Sequence, residues 1–318
     1  MSNQVYTSIY KIENVKKLKD IEEWRNNTFD SPVKHGKNHD DEFNKLKKSE
    51  KNYSYTWGYI REEKKLPFVV AGKDIPFIEA SADIEYAKKQ IFDVKGHFLP
   101  KDERTNRDSI GVIFFELDDN IYVVIQESRK KQIDRVLDLI GTNNYCSSSW
   151  KLSNDFFNWL VYSYSELEGI INSKIKIASI SGFTGNVFDN ENVVSSKSME
   201  TIKLIATRAF ISTGGILREV SIILNDSDNC SICCKLDNEC KAVISINESE
   251  KITNTNGLDK TENLIMYVYT YLIPLLRNIF GKDKTEFRNQ KKRFAKKIGI
   301  EVINEIMKEN EIKKSELN

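Results

Sequence analysis

The chain has 318 residues, 40% of them apolar and 30% charged, which is globular composition and excludes wholesale disorder. Lys and Arg number 48 against 47 Asp and Glu, a net charge of +1. That balance excludes a uniformly basic nucleic-acid coat, yet it permits a basic patch offset by acidic surface elsewhere. The length suits two domains of ordinary size.

Residues 4–12 (QVYTSIYKI) are rich in β-branched and aromatic types and predict a first strand. Val15, Leu18, Ile21 and Trp24 then fall at helical spacing, so a helix is expected over Val15 to Asn26. Residues 28–52 are polar and weakly patterned, which reads as a connector. Strands are expected at Tyr53–Ile60 and Pro67–Ala71. A helix is expected at Ala82–Val94 with Ser81 as its N-cap, followed by a charged loop over Lys95–Arg107.

The clearest unit is 109–141, SIGVIFFELDDNIYVVIQESRKKQIDRVLDLIG. Two strands flank a polar turn at Asp118–Asn120, and a helix runs to Gly141 with Ile133, Val136 and Ile140 inward. In the second strand Ile121, Val123 and Ile125 share one face with Glu127 and Arg129. The Ser/Asn loop 142–151 marks a first boundary and the onset of the helical C-terminus a second, which divide the chain into 1–145, 146–256 and 257–318. Beyond it an aromatic helix (Phe156, Phe157, Trp159, Tyr162) leads to strands at Lys174–Ile180, Leu217–Leu224, Cys230–Leu236 and Lys241–Ile246. Met199–Phe210 is ambiguous. From Asp259 the chain is expected to be helical, in two pieces either side of Gly281. The fold class is α+β, with two β-containing regions of antiparallel hairpins and a long helical C-terminus.

The opening MSNQVYTSIYKIENVKK has no basic start followed by an apolar run, so no signal peptide is expected. The longest mostly apolar stretch, Leu264 to Leu276, is 13 residues, or about 20 Å as a helix against a bilayer core of roughly 30 Å. It predicts a buried helix kinked or ended at Pro274, in a cytoplasmic protein that is not itself transmembrane. Five cysteines make no disulfide framework.

The strongest candidate chemistry is the segment Lys284–Lys297, KTEFRNQKKRFAKK, with seven basic residues and one acidic, a local charge of +6. On a helix Phe287, Phe294 and Ile298 fall on one side. Arg288, Lys292 and Lys296 follow at i+4, widened by Lys291, Arg293 and Lys297. Such a stripe can neutralise several phosphates without reading bases; the competing reading is a solvated face balancing Glu301, Glu305 and Glu309. A second cluster, Arg129, Lys130, Lys131 and Arg135, sits where the hairpin enters its helix. Cations there oppose the helix macrodipole, which hints at an anionic partner unless Arg129 merely pairs with Glu127 or another acid.

An alternative chemistry is a metal-dependent nuclease of the PD-(D/E)xK type, which needs an Asp and a Glu two residues before a Lys. Glu127-Ser128-Arg129 has an Arg in the lysine slot. Asp108 is the better-placed Asp, because folding the hairpin at Asp119 brings it beside Arg129. Cys230, Cys233, Cys234 and Cys240 lack paired C-x2-C spacing and read as reduced core thiols, leaving metal binding open. His35 and His39 read as solvated surface. No G-x-G-x-x-G or P-loop pattern occurs, so no nucleotide cofactor is expected, nor is a metal.

The segment 109–141, the later hairpin CSICCKLDNECKAVISINESEK and the aromatic helix ENLIMYVYTYLIPLLRN resemble, in order, segments of the RexA-like phage-exclusion proteins, or the wider class of defence proteins that includes the Kiwa component KwaB. The resemblance covers about a quarter of the chain and transfers no individual residue; it is lost at 28–52 and after Gly281. It implies a homodimeric DNA-binding sensor or effector without enzymatic activity, acting in abortive infection with a membrane-embedded partner. The expected function is therefore sequence-tolerant DNA binding in anti-phage defence. The nuclease at Asp108 and Glu127 is one alternative, and a protein-interaction subunit that pairs through its C-terminal helices is another.

Overall fold

The computed structural model describes residues 4–65, 74–146, 150–186, 193–198, 201–250 and 259–316. Two compact units emerge, one of Tyr6–Ser149 and one that starts at Trp150 and includes Gln4 and Val5. Each combines an antiparallel sheet with helices, so the fold is α+β.

In the N-terminal unit, β1 (Gln4–Ile12) is followed by a 3-10 segment over Leu18–Asn26, where a longer α-helix was expected. Leu18 and Ile21 are buried there, and Asp20 accepts from the Lys17 backbone at 3.1 Å. The supposed connector is more ordered than its polarity suggests. It holds β2 (Thr28–Pro32), whose Phe29 stacks on Tyr55, and the short α1 (Asp40–Lys45). β3 (Asn52–Ile60) matches its expected strand, and a two-residue β4 (Lys64–Lys65) follows. The expected strand at Pro67–Ala71 lies outside the described residues.

The largest correction is at 82–94. These residues do not start a helix; they continue β5 (Pro76–Ala87), which pairs with β6 (Thr105–Leu117) from Phe77↔Phe115 to Ala87↔Thr105. The period is two: Ile78, Ala80, Ala82 and Ile84 enter the core, while Glu79, Ser81, Asp83 and Glu85 point the other way. Ser81 caps nothing and instead shares a 2.7 Å hydrogen bond with Ser109. The charged loop before β6 contains a single turn, α2 (Lys101–Arg104). It is anchored by the buried Arg104, whose guanidinium donates to the carbonyls of Leu99 (2.9 Å) and Glu50 (2.6 Å).

β6 and β7 (Asn120–Ile125) form the expected hairpin. Its two turn residues, Asp118 and Asp119, have φ of 50° and 59°. That left-handed pair matches the right-handed twist of the strands, and Asp tolerates it better than most residues. α3 (Lys130–Ile140) buries Ile133, Val136 and Ile140 and ends at Gly141 with φ 101°. β8 (Tyr145–Cys146) then pairs with β1. The sheet order is β1-β7-β6-β5-β3-β2, with β4 alongside β5.

The C-terminal unit opens with α4 (Asn154–Glu166), capped by Ser153, whose hydroxyl accepts from the Phe156 backbone. Its five-stranded sheet runs β10-β9-β11-β12-β13. The strands are β9 (Ile175–Asn186), β10 (Val193–Lys197), β11 (Ile216–Asp226), β12 (Ser231–Asp237) and β13 (Ala242–Ser245). The ambiguous stretch resolves into a 3-10 turn at Thr201–Lys203 and α5 (Ile205–Ser212).

A continuous helix of 50 residues closes the chain, from Lys260 to Glu309. It comprises α6 (Lys260–Tyr267), a π-turn at Val268–Leu272, and α7 (Ile273–Glu309). Pro274 does not end it: the π-turn, where the Ile273 N–H reaches back to the Val268 carbonyl, makes room for a ring that clashes with a regular turn. Gly281 does not divide it either, because nothing crowds that position and α7 continues straight through. This helix is long and apolar enough to meet a membrane-span criterion, but most of its apolar window is buried inside the fold, including Leu264 to Leu276 in large part.

Candidate nucleic-acid interface

Two rows of side chains fix the orientation of α7. Phe280, Phe287, Phe294 and Ile298 are buried at helical spacing, which sets them inward. Phe280 packs on Phe156 and Trp159 of α4, with ring centroids 5.7 and 5.6 Å away. Farther along, Phe287 and Phe294 flank Tyr162 at 5.5 and 5.3 Å. The aromatic seam packs α7 against α4 and turns the cations of 284–297 sideways and outward.

The sideways cations meet acids of α4. Lys291 donates to Asp155 at 2.7 Å, with Arg288 at 3.5 Å from the same carboxylate. The hydrogen bond from Lys291 pulls the Asp155 carboxyl below its usual range, against the opposing effect of burial. Lys297 holds both Glu166 oxygens, at 2.9 and 2.8 Å, and that hydrogen bond raises its own pKa. The outward cations differ: among the described residues, Lys292, Arg293 and Lys296 are exposed with no carboxylate within ion-pair distance. Glu301 and Glu305 lie on another side of α7, where Arg208 of α5 grips them at 2.7 and 2.5 Å. Neither Asp155, Glu166 nor Arg208 was singled out by sequence reasoning, since each lies some ninety to well over a hundred residues from its partner.

The second cluster is organised differently. β7 stops at Ile125, so Glu127 and Arg129 sit in the turn into α3 and not on the strand face. The Arg129 guanidinium bridges two carboxylates, Glu127 at 2.7 Å and Asp108 at 2.9 Å. The side chain of Gln132 adds a hydrogen bond to Asp108. Glu127 also accepts from the backbone of Ser128 (2.7 Å) and Arg129 (2.8 Å). Burial alone raises its pKa, but these hydrogen bonds, led by the Arg129 side chain, outweigh burial and hold it at about 2. Glu127 thereby places an anion just before the start of α3, offsetting the cations at that helix start. Lys130 pairs with Asp134 at 2.8 Å, and Arg135 donates to Gln132 and lies 4.8 Å over the Tyr86 ring. For Arg129 and Lys130 the anionic partner suggested by this cluster is supplied by the protein itself, whereas Lys131 is exposed.

The same geometry bears on nuclease chemistry. Asp108 and Glu127 do converge, but on a guanidinium that stays protonated and takes the position between them. Among the described residues no three His, Cys, Asp or Glu side chains are placed to share a metal ion. The cysteines in β12 and on either side of it are free and buried, with burial the leading cause of raised pKa values: about 12 for Cys230 and Cys240, about 11 for Cys233, and higher again for Cys234. They are poor nucleophiles at neutral pH. His35 and His39 are not simply solvated. His39 stacks on Phe92 at 3.9 Å and His35 sits edge-on to Phe43 at 4.1 Å.

No family model matches the chain, and no curated protein matches it. Among solved structures, it has a distant likeness to the di-domain ARO/CYC StfQ from the steffimycin biosynthetic pathway, 8% identical over 92% of this chain and 98% of that one. The TM-score of 0.15 is too low to carry an argument about fold or function.

Proposed function

We propose that this chain binds duplex DNA through its phosphate backbone, without reading sequence, along the outward side of α7. The observation that carries the reading is the set Lys292, Arg293 and Lys296: three exposed cations on one helix with no anion within ion-pair distance among the described residues. Arg288, Lys291 and Lys297 border that side and can share their charge with phosphate only by loosening contacts to Asp155 and Glu166. Arg129, Lys130 and Arg135 contribute little, being engaged locally. The physiological setting we propose is anti-phage defence in the cytoplasm, as a non-enzymatic homodimeric sensor or effector working with a membrane-embedded partner. That setting rests on the sequence resemblance to RexA-like proteins.

The test is a mobility-shift titration on mixed-sequence duplex DNA across salt, with and without Mg²⁺. Wild type binds with a steep salt dependence and leaves the strands intact, and Lys292→Glu/Arg293→Glu/Lys296→Glu removes most of that dependence. Binding that survives the triple reversal overturns the reading, and Mg²⁺-dependent cleavage transfers it to Asp108 and Glu127.

A further inference from the structure

We propose that the outer face of α7 also docks on an anionic lipid bilayer, with its C-terminal half supplying an apolar insert. The proposal shares Lys292, Arg293 and Lys296 with the DNA reading but starts from aliphatic side chains that DNA binding leaves unused. Asn289, Arg293, Lys296, Ile300, Ile303 and Met307 follow one another at alternating steps of four and three, which puts them on a single stripe. Lys292 and Ile306 flank it. Ile300, Ile303 and Ile306 are 50%, 54% and 38% exposed, an unusual concentration of open isoleucine within seven residues. The stripe therefore changes character midway, from unpaired cations to solvent-facing aliphatic groups.

From Asn289 to Met307 no carboxylate interrupts it, and Glu286 lies one step before its start. Glu301, Glu305 and Glu309 repeat at steps of four on another side of the helix, and Arg208 holds the first two there. A carboxylate-free face, cationic at one end and aliphatic at the other, complements a surface of phosphate headgroups over acyl chains. From Asn289 to Met307 the face spans about 27 Å, long enough to lie in the plane of that surface.

A second copy of the chain fits less well. Parallel pairing of two such stripes sets Arg293 against Arg293 and Lys296 against Lys296. Antiparallel pairing centred on Ile303 leaves those cations opposite chain beyond Glu309, where the helix has ended. The aliphatic run also spans fewer than two heptads, short of what a stable coiled coil needs. A bilayer requires neither register nor a partner helix.

Co-sedimentation of the full chain with large vesicles decides the matter, using pure phosphatidylcholine against a 7:3 mixture of phosphatidylcholine and phosphatidylglycerol. Wild type should pellet with the anionic vesicles and not with the neutral ones. Ile300→Ser/Ile303→Ser should lose at least tenfold in partitioning while shifting DNA as wild type does, whereas the triple charge reversal should lose both activities. Both isoleucines face solvent, so their replacement spares the core. Ile303→Lys gives a second check, since it adds a cation: binding by charge alone rises, and binding through the aliphatic insert falls. Wild type that ignores anionic vesicles, or isoleucine variants that bind them fully, would overturn the proposal. So would a wild-type dimer in sedimentation velocity that the isoleucine variant splits, because the second copy would then be the occupant. Vesicle binding without a DNA shift would sink the DNA reading and leave this one standing.

Discussion

The two basic clusters carry similar residues and opposite electrostatics. At the start of α3, three of the four cations have found partners in their own unit, with Arg129 between Glu127 and Asp108, Lys130 on Asp134, and Arg135 on Gln132 and Tyr86, while Lys131 stays exposed. On α7, the aromatic seam against α4 commits three of the seven cations to Asp155 and Glu166 and points Lys292, Arg293 and Lys296 outward. Counting charge along the chain cannot separate these cases. What separates them is whether the fold has already placed a carboxylate within reach, because a paired surface cation has less to gain from a phosphate than an unpaired one.

The comparison can be broken most severely at the outward set. Lys292→Glu/Arg293→Glu/Lys296→Glu should lower affinity for duplex DNA about a hundredfold near 0.1 M salt and flatten the slope of log K against log salt by about 2.7, the contribution of three phosphates. Glu127→Gln attacks the other cluster and should do the converse, leaving DNA affinity within about twofold while costing the N-terminal unit roughly 2 kcal/mol. That figure is discounted from the full pKa difference because Arg129 is half-exposed. Glu127 sits at about 2 in the folded chain against an ordinary 4.5, so its contribution is complete above pH 4.5 and is lost as pH falls towards 2. Circular dichroism across that window should show wild type losing stability and Glu127→Gln, already weaker, changing less.

Smaller effects sharpen the picture. Gly281→Ala should stabilise the C-terminal unit by about 0.5–1 kcal/mol in a thermal melt, since the residue lies in an uncrowded helix interior. A helix truly broken at Gly281 would be destabilised instead. Asp155→Asn frees Lys291 and Arg288 and should raise DNA affinity by about threefold, with a steeper salt slope. An unchanged affinity there would mean that the α4-facing side never approaches the DNA.

Much of the fold was legible where local pattern and tertiary demand agree. The hairpin from residue 109 to 125 announces itself through alternation and a two-aspartate turn, although β6 starts earlier, at Thr105, and because that turn sets the register, the approach of Asp108 to Arg129 could be anticipated. The inward row Phe287, Phe294 and Ile298 was likewise visible as helical spacing. At 82–94, by contrast, Ala82, Glu85 and Ala87 suit a helix well, and only an eleven-pair ladder with β6 decides for strand. Pro274 and Gly281 misled because a buried, packed helix can absorb both. The candidate interface was half legible. The cations could be read off the chain, but which of them are free depends on Asp155 and Glu166, brought to α7 by packing that no local pattern encodes.

The most direct test of the central claim is the salt dependence of duplex DNA binding by the wild type and the Lys292/Arg293/Lys296 charge-reversal variant, followed by fluorescence anisotropy at equal protein stability. A wild-type slope that drops by about three counterions in the variant is the predicted result. Equal slopes for the two proteins, at any affinity, would show that the outward side of α7 is not where this chain meets phosphate.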